Sequence, residues 1–463
     1  QIEEKFKTLD AVLLHGVTGS GKTEVYVDLI QKQLDQGNQV LFLLPEIALT
    51  TQLINRLKKY FGNQVGVYHS KFNQNERIEI WNKVLHNNTS DYKIVLGARS
   101  SLFLPWQQLG LIIIDEEHEN TFKQYDPSPR YHARDTAIVL AHLHKAKVLL
   151  GSATPSLESY YNCELGKYGL VEMNERFGSV QMPEIQCADI HKEKKRKEMK
   201  GHFSKFLLDQ INEALELDEQ IILFQNRRGY TPIWLCDMCG WAPKCKNCDV
   251  SLTYHKNLNV LKCHYCGYFT PPVGSCGACG SNKLSMKGFG TEKIEDDLSI
   301  LLPKATIARL DLDSTRSKTA YSRILTEFEE RRVDILIGTQ MVSKGLDFDN
   351  VTLVGVLNAD SMLNFPDFRA FERSYQLMSQ VAGRAGRKKK RGKVIIQTGD
   401  PDHWIIQKVM YHDYVNMYKQ ELLERKNFNY PPFYKLINIT LKHKDVNKVK
   451  LGSAEFAKML KKP

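Results

Sequence analysis

"DAVLLHGVTGSGKTEVYVDLI", residues 10 to 30, runs an apolar strand (Ala11 to Leu14) into a Gly-rich turn and then an amphipathic helix. Gly16 to Thr23 match the pattern G-x-x-x-x-G-K-[ST] in the strand–turn–helix setting that the pattern requires. Gly19 and Gly21 permit tight turns, so the backbone N–H groups of the loop, Ser20 included, converge on phosphate oxygens. The helix N-terminus adds positive potential. Lys22 is expected to reach the β- and γ-phosphates, and Thr23 to hold Mg²⁺.

A second apolar strand, "LGLIIIDEEH", ends in acids. A carboxylate at the end of a buried strand needs a reason. Beside a phosphate loop, Asp115 fits the magnesium-holding group, and Glu116 fits the base that orients and deprotonates the attacking water. Together they predict a nucleoside-triphosphatase on an α/β fold with parallel sheets.

The 463 residues leave room for two to four domains. No apolar run approaches the roughly 20 residues of a membrane helix, and no signal-peptide pattern is present, so no membrane partner and a cytoplasmic location are expected. The chain starts at Gln1 without a methionine, which leads us to expect a piece of a longer protein. Lys plus Arg exceed Asp plus Glu by 64 to 53, a net +11 that suits a polyanion such as nucleic acid. Eight of the ten cysteines form four C-x-x-C pairs, a spacing that favours metal over disulfides.

Two further elements extend the nucleotide site. The strand "AKVLLGSATPS" ends in Ser152 and Thr154, and downstream "QVAGRAGR" presents Gln380, Arg384 and Arg387. With the P-loop and DEEH these resemble the superfamily-two helicases. That resemblance implies two RecA-like lobes around ATP, with Arg384 and Arg387 as arginine fingers and Gln380 near the γ-phosphate. The stretches "LLPEIALT" (43–50), "GARSSLFLP" (97–105), "DEEHENTFKQYDPSPRYHARDTA" (115–137), "FQNRRGY" (224–230) and "IGTQMVSKGLDFDNVTLVGVLNAD" (337–360) resemble the PriA family of replication-restart helicases.

The resemblance implies ATP-driven 3′ to 5′ translocation on single-stranded and forked DNA at abandoned replication forks. It also implies primosome and replicative-helicase-loading proteins and single-stranded DNA-binding protein as partners, and a nucleoid-associated location in bacteria. By motif, Arg99 and Ser100 are expected on the DNA backbone, while Ser152, Thr154, Thr339, Lys344 and Asp347 couple nucleotide to DNA. In the Pro-broken loop, Tyr125, Arg130, Tyr131 and Arg134 interleave rings and cations in the manner of a single-strand binding surface. The basic runs at 191–200 and 388–393 are expected to be solvated, with nonspecific help on phosphates. The alternatives are an RNA or duplex-DNA translocase of the same superfamily, and a zinc-dependent assembly scaffold with a switch ATPase.

The expected boundaries are lobe one at 1–190, the start of lobe two at 191–233, an insertion at 234–284, the rest of lobe two at 285–425, and the start of a truncated C-terminal α+β segment, one strand and one helix, at 426–463. The insertion carries Cys236, Cys239, Cys245, Cys248, Cys263, Cys266, Cys276 and Cys279. Four pairs suffice for two tetrahedral S₄ zinc sites, with an Fe–S cluster as the rival. Three pairings are open. The favoured one is nested: Cys245 and Cys248 with Cys263 and Cys266, and the outer pairs together. Tyr254, His264, Tyr265 and Tyr268 are candidate contacts to DNA or a partner. The family's N-terminal DNA-binding modules and an adenine-reading element are expected to lie outside this chain.

Overall fold

The computed structural model describes residues 1–45, 51–69, 72–87, 92–179, 181–226, 234–236, 238–248, 250–255, 259–263, 266–286, 291–311, 314–315, 318–342, 348–386 and 390–460. Lys344, Asp347, Arg387, His264 and Tyr265 lie outside these residues, as do parts of the quoted stretches at 43–50, 224–230 and 337–360.

The first lobe is built on β1 (Ala11–Gly16), β2 (Gln39–Leu43), β3 (Val65–Tyr68), β4 (Ile94–Gly97), β5 (Leu109–Asp115), β6 (Lys147–Ser152) and β7 (Gly169–Met173). Their order is β3-β4-β2-β5-β6-β1-β7, and every pairing is parallel. Parallel neighbours require crossovers, which cover both faces of the sheet. Accordingly β1, β2 and β4 bury every residue. Val12 and Leu14 join Tyr26 and Ile30 in one apolar layer, while Leu13 joins Ala137 in the other.

Next along the chain come β8 (Glu184–Asp189) and β9 (Gln220–Phe224). The insertion follows, with β10 (Trp234–Cys236), β11 (Thr253–His255), β12 (Val260–Lys262), β13 (Phe269–Thr270) and β14 (Leu284–Met286). The chain then returns through β15 (Ile307–Leu310), β16 (Ile335–Gly338), β17 (Val351–Val356) and β18 (Lys393–Thr398). The second sheet, β15-β16-β9-β17-β18-β8, is again parallel.

This places β8 in lobe two, although the expected boundary lay at 190. β8 pairs with β18 from Glu184 beside Lys393 to Asp189 beside Thr398, covering an edge that would otherwise expose unpaired backbone groups. The basic run at 191–200 therefore starts in a helix, Ile190–Lys195, that already lies against β18.

Behind lobe two, the helix Tyr414–Asn427 folds back onto lobe one. Tyr414 Oη donates to the Pro155 carbonyl at 3.0 Å, and Tyr418 Oη to Glu164 at 2.8 Å. Arg425, 1% exposed, reaches Glu372 of lobe two at 2.6 Å, Glu158 of lobe one at 3.4 Å and Glu421 of its own helix at 3.3 Å. The strand expected near residues 434–443 is not formed. That segment pairs with no strand, and Leu436, Ile437, Ile439 and Leu441 are exposed, since a strand needs an edge to pair with. The expected helix is present as Val446–Leu460.

Candidate nucleotide site and cysteine centres

The P-loop leaves β1 at Gly16. Gly19 (φ 82°) and Gly21 (φ 92°) hold left-handed conformations that a side chain would strain. Lys22 opens the helix Lys22–Asp35, and its ammonium donates to the Gly16 carbonyl at 2.6 Å. One helical turn on, Tyr26 faces the sheet and donates to Asp115 Oδ1 at 2.8 Å. Gly151 makes this possible, because a Cβ there would stand 1.9 Å from the Tyr26 hydroxyl. Burial, with the adjacent Glu116 charge, pushes the Asp115 carboxyl up to about 6 against the pull of Lys22 and Tyr26. A buried carboxylate so disfavoured as an anion fits the holder of a divalent cation.

Glu116 follows in the left-handed region (φ 53°). Its carboxylate accepts from Gln380 Nε2 of lobe two at 3.1 Å, and the same nitrogen stands 2.7 Å from His118 Nε2. His118 Nδ1 lies 2.7 Å from Ser152 Oγ, which also accepts the Thr154 N–H at 3.0 Å. An amide nitrogen only donates, so His118 Nε2 accepts and the imidazole proton sits on Nδ1, donated to Ser152. A continuous hydrogen-bond chain therefore runs from Glu116 through Gln380 and His118 to Ser152 and Thr154, crossing the lobes.

The arginine segment rests on the P-loop. A Cβ on Gly383 would meet Thr18 at 2.7 Å, and Arg176 donates to the Gly386 carbonyl at 2.9 Å while its side chain lies over Gly19. Arg384 is buried in this seam. Reading the sequence missed Tyr26, Gly151, His118 and Arg176. Tyr26 carried a usable signal, standing four residues after Lys22 on the same helix face.

The residues expected to meet DNA divide into two groups. Tyr125 is 64% exposed and Arg130 is exposed, at the tip of a loop closed by a bridge between Lys123 and His132. Tyr131 packs edge-on against Phe103, ring centroids 5.1 Å apart. Arg99 gives one guanidinium nitrogen to the Thr121 and Lys123 carbonyls, fixing this loop. Ser100 lies in the adjoining turn Arg99–Phe103, and Thr339 follows the end of β16. Arg134 departs from expectation. It is buried, bound to Glu117 at 3.0 Å, Ser156 at 2.6 Å and Ser159 at 3.2 Å. Glu117 is fully buried, and a carboxylate there needs a cation, which Arg134 supplies.

The eight cysteines gather as the nested pairing requires. Cys236, Cys239, Cys276 and Cys279 form one group, and Cys245, Cys248, Cys263 and Cys266 the other, with Sγ atoms in each within 4.8 Å of one another. Thiolates about 2.3 Å from one zinc stand about 3.8 Å apart in a tetrahedron. Here Cys236–Cys279, Cys239–Cys276 and Cys245–Cys266 are at 3.6, 3.3 and 3.5 Å, so the donor set fits. Gly240, Gly267 and Gly280 each follow a C-x-x-C pair with positive φ and turn the knuckle back. Tyr254 and Tyr268 pack into the insertion's small core; Tyr254 bonds Asn259 and leans on Trp234. Phe269, 67% exposed, takes the outward place instead. The insertion also touches the motor: the Cys248 carbonyl accepts from Tyr430 at 2.9 Å, and Tyr430 stacks on Phe368.

Two parallel-sheet lobes meeting over a P-loop, with an acid pair in one and an arginine segment from the other, define a two-lobed helicase core. Residues 2–162 match the DEAD/DEAH box helicase family, 289–389 the helicase conserved C-terminal domain, and 245–271 the PriA DNA helicase Cys-rich region domain. The replication restart protein PriA of Bacillus subtilis is 45% identical over 97% of this chain and 55% of its own length. That of Rickettsia felis is 43% identical over 94% of this chain and 67% of its own. The chain belongs to the PriA family. It spans little more than half the length of most of the curated relatives it matches. Among solved structures, the DUF1998 helicase MrfA bound to DNA shares the fold at a TM-score of 0.54, with 14% identity over 89% of this chain and 50% of that one. No helix among the described residues is long and apolar enough to cross a membrane.

Proposed function

We propose that the chain is the motor of an ATP-dependent DNA helicase that translocates 3′ to 5′ and acts at abandoned replication forks to restart replication. The observation that carries this reading is the hydrogen-bond chain from Glu116 through Gln380 and His118 to Ser152. It links the hydrolytic carboxylate to both lobes, so a change at the nucleotide repositions the lobes. In this reading the P-loop N–H groups and Lys22 bind the phosphates, Gln380 and Glu116 orient and deprotonate water, and Arg384 with Arg387 stabilises charge on the transferred phosphoryl. Asp115 and Thr23 are the residues that would hold Mg²⁺, which when bound would neutralise phosphate charge. Zinc in the two cysteine groups would staple an insertion whose own apolar core is small.

The exposed Tyr125 and Arg130, with Phe103 beside Tyr131, support a single-strand surface in which rings stack on bases and the cation meets phosphate. Helicase-loading proteins and single-stranded DNA-binding protein are the proposed partners, as the family resemblance implies.

The test is ATP hydrolysis and strand displacement on single-stranded DNA, forked DNA and RNA. DNA is expected to stimulate hydrolysis, Glu116→Gln to lower turnover by about 10²–10⁴-fold, as loss of a positioned general base does, and Lys22→Ala to lower it by removing the cation that binds the phosphates. Unwinding by both variants at the parent rate would overturn the motor reading, and stimulation by RNA alone would move it to an RNA translocase.

A further inference from the structure

Between the lobes lies a cavity of about 140 Å³ with no P-loop residue in its lining. Asn120 comes from beyond β5, Asn226 from beyond β9 and Gln340 from beyond β16, while Phe365, Leu377 and Gln380 come from the segment leading to the arginines. The C-terminal ends of parallel strands are where α/β sheets place ligands. A space of about 150 Å³ holds one benzene-sized ring.

The lining chemistry narrows the ligand. A phosphate would want converging cations, but among the described lining residues the guanidinium is that of Arg373, whose Nη1 is held by Asp367 at 2.5 Å and whose buried Nε has no partner. Amides dominate instead. Asn and Gln side chains present a donor beside an acceptor, the pattern by which proteins read base edges, and Phe365 offers a ring face. The Asn226 Oδ1 and Gln380 Oε1 oxygens are buried and have no hydrogen-bond partner among the described residues. Gln380 itself is 3% exposed. Both oxygens want an N–H donor, which a base edge supplies.

We propose that this cavity receives one unstacked, pyrimidine-sized base of a bound single strand. Gln380 then touches the base with its oxygen and Glu116 with its nitrogen, which ties strand occupancy to the hydrolytic carboxylate. The inference rests on the DNA-motor reading and adds the place where a base is held.

The experiment uses the full chain and a deoxycytidine strand carrying a fluorescent cytosine analogue whose emission rises on leaving the stack. Binding to the parent protein is expected to raise emission several-fold. Leu377→Phe, which fills the cavity, and Phe365→Ala, which removes the ring face, are expected to abolish that rise and to cut DNA-stimulated hydrolysis several-fold, with hydrolysis in the absence of DNA unchanged as the check on folding. A strand with an abasic site in place of the analogue is expected to bind with less stimulation. If DNA stimulates the parent but both variants show the parent's fluorescence rise and stimulation, the base pocket is wrong and the motor reading stands. If no DNA stimulates the parent, the motor reading itself fails.

Discussion

Arg134 shows how one side chain separates a binding role from a structural one. Its neighbours Arg130 and Tyr131 invite a nucleic-acid reading, yet its guanidinium is spent on Glu117, Ser156 and Ser159. Arg134→Ala strands a buried carboxylate, so unfolding free energy is expected to fall by about 3–5 kcal/mol. Denaturant titration measures this; unchanged stability with weakened DNA binding would return Arg134 to the DNA surface. The P-loop, Asp115, Glu116 and the cysteines were legible because their chemistry is written at short spacing. The Glu117–Arg134 pair and the Tyr26–Asp115 bond were not, because side chains 17 and 89 positions apart meet only once the sheet has formed.

Among the elements, the insertion matched its sequence most closely. Four C-x-x-C pairs implied two metal sites, the nested grouping is the one formed, and the glycines after three of the pairs could have been read as knuckle turns. Metal analysis is expected to give about two zinc ions per chain, and about one after Cys245 and Cys248 are both changed to serine. Chelation is expected to raise amide exchange across 236–279 while β1 and β9 stay protected, because those strands are held by parallel pairing and buried apolar runs. Iron, or no metal, would overturn the assignment. By contrast β8 and the absent C-terminal strand escaped the sequence. Whether a short apolar stretch becomes a strand depends on its pairing with an edge: β8 pairs with β18, and residues 434–443 pair with none of the described strands.

At the scale of the whole molecule, the lobes are joined behind the nucleotide site by Arg425 among Glu158, Glu372 and Glu421. The cations of Arg369, Arg425 and Arg134 overcome burial and hold Glu158 well below the usual carboxylate range. Glu421 is the opposite case: burial, only partly offset by Arg425, pushes it up to about 7. The folded protein therefore keeps a proton that the unfolded chain releases near its ordinary value. That contribution to stability is complete below about pH 4 and is lost as pH rises through about 7. Glu421→Gln is accordingly expected to stabilise the protein by about 1–3 kcal/mol at pH 8 and to gain nothing near pH 4. Thermal unfolding at the two pH values decides it, and an equal gain at both would refute the assignment. None of this cluster was visible in the sequence, since its members come from three separate regions of the chain.

The antiparallel pairing of β10 with β14, Trp234 beside Met286 and Cys236 beside Leu284, has one more consequence. Everything in the insertion enters and leaves through this two-stranded neck, so its length and cargo are uncoupled from the register of the sheet. The neck is a natural graft point: a short turn joining β10 to β14, or a foreign module placed there, would leave the second sheet's pairings in place, whereas the native module is tied to the motor by the Cys248–Tyr430 hydrogen bond, by Lys244 over the Phe371 ring and by Phe368 against its core.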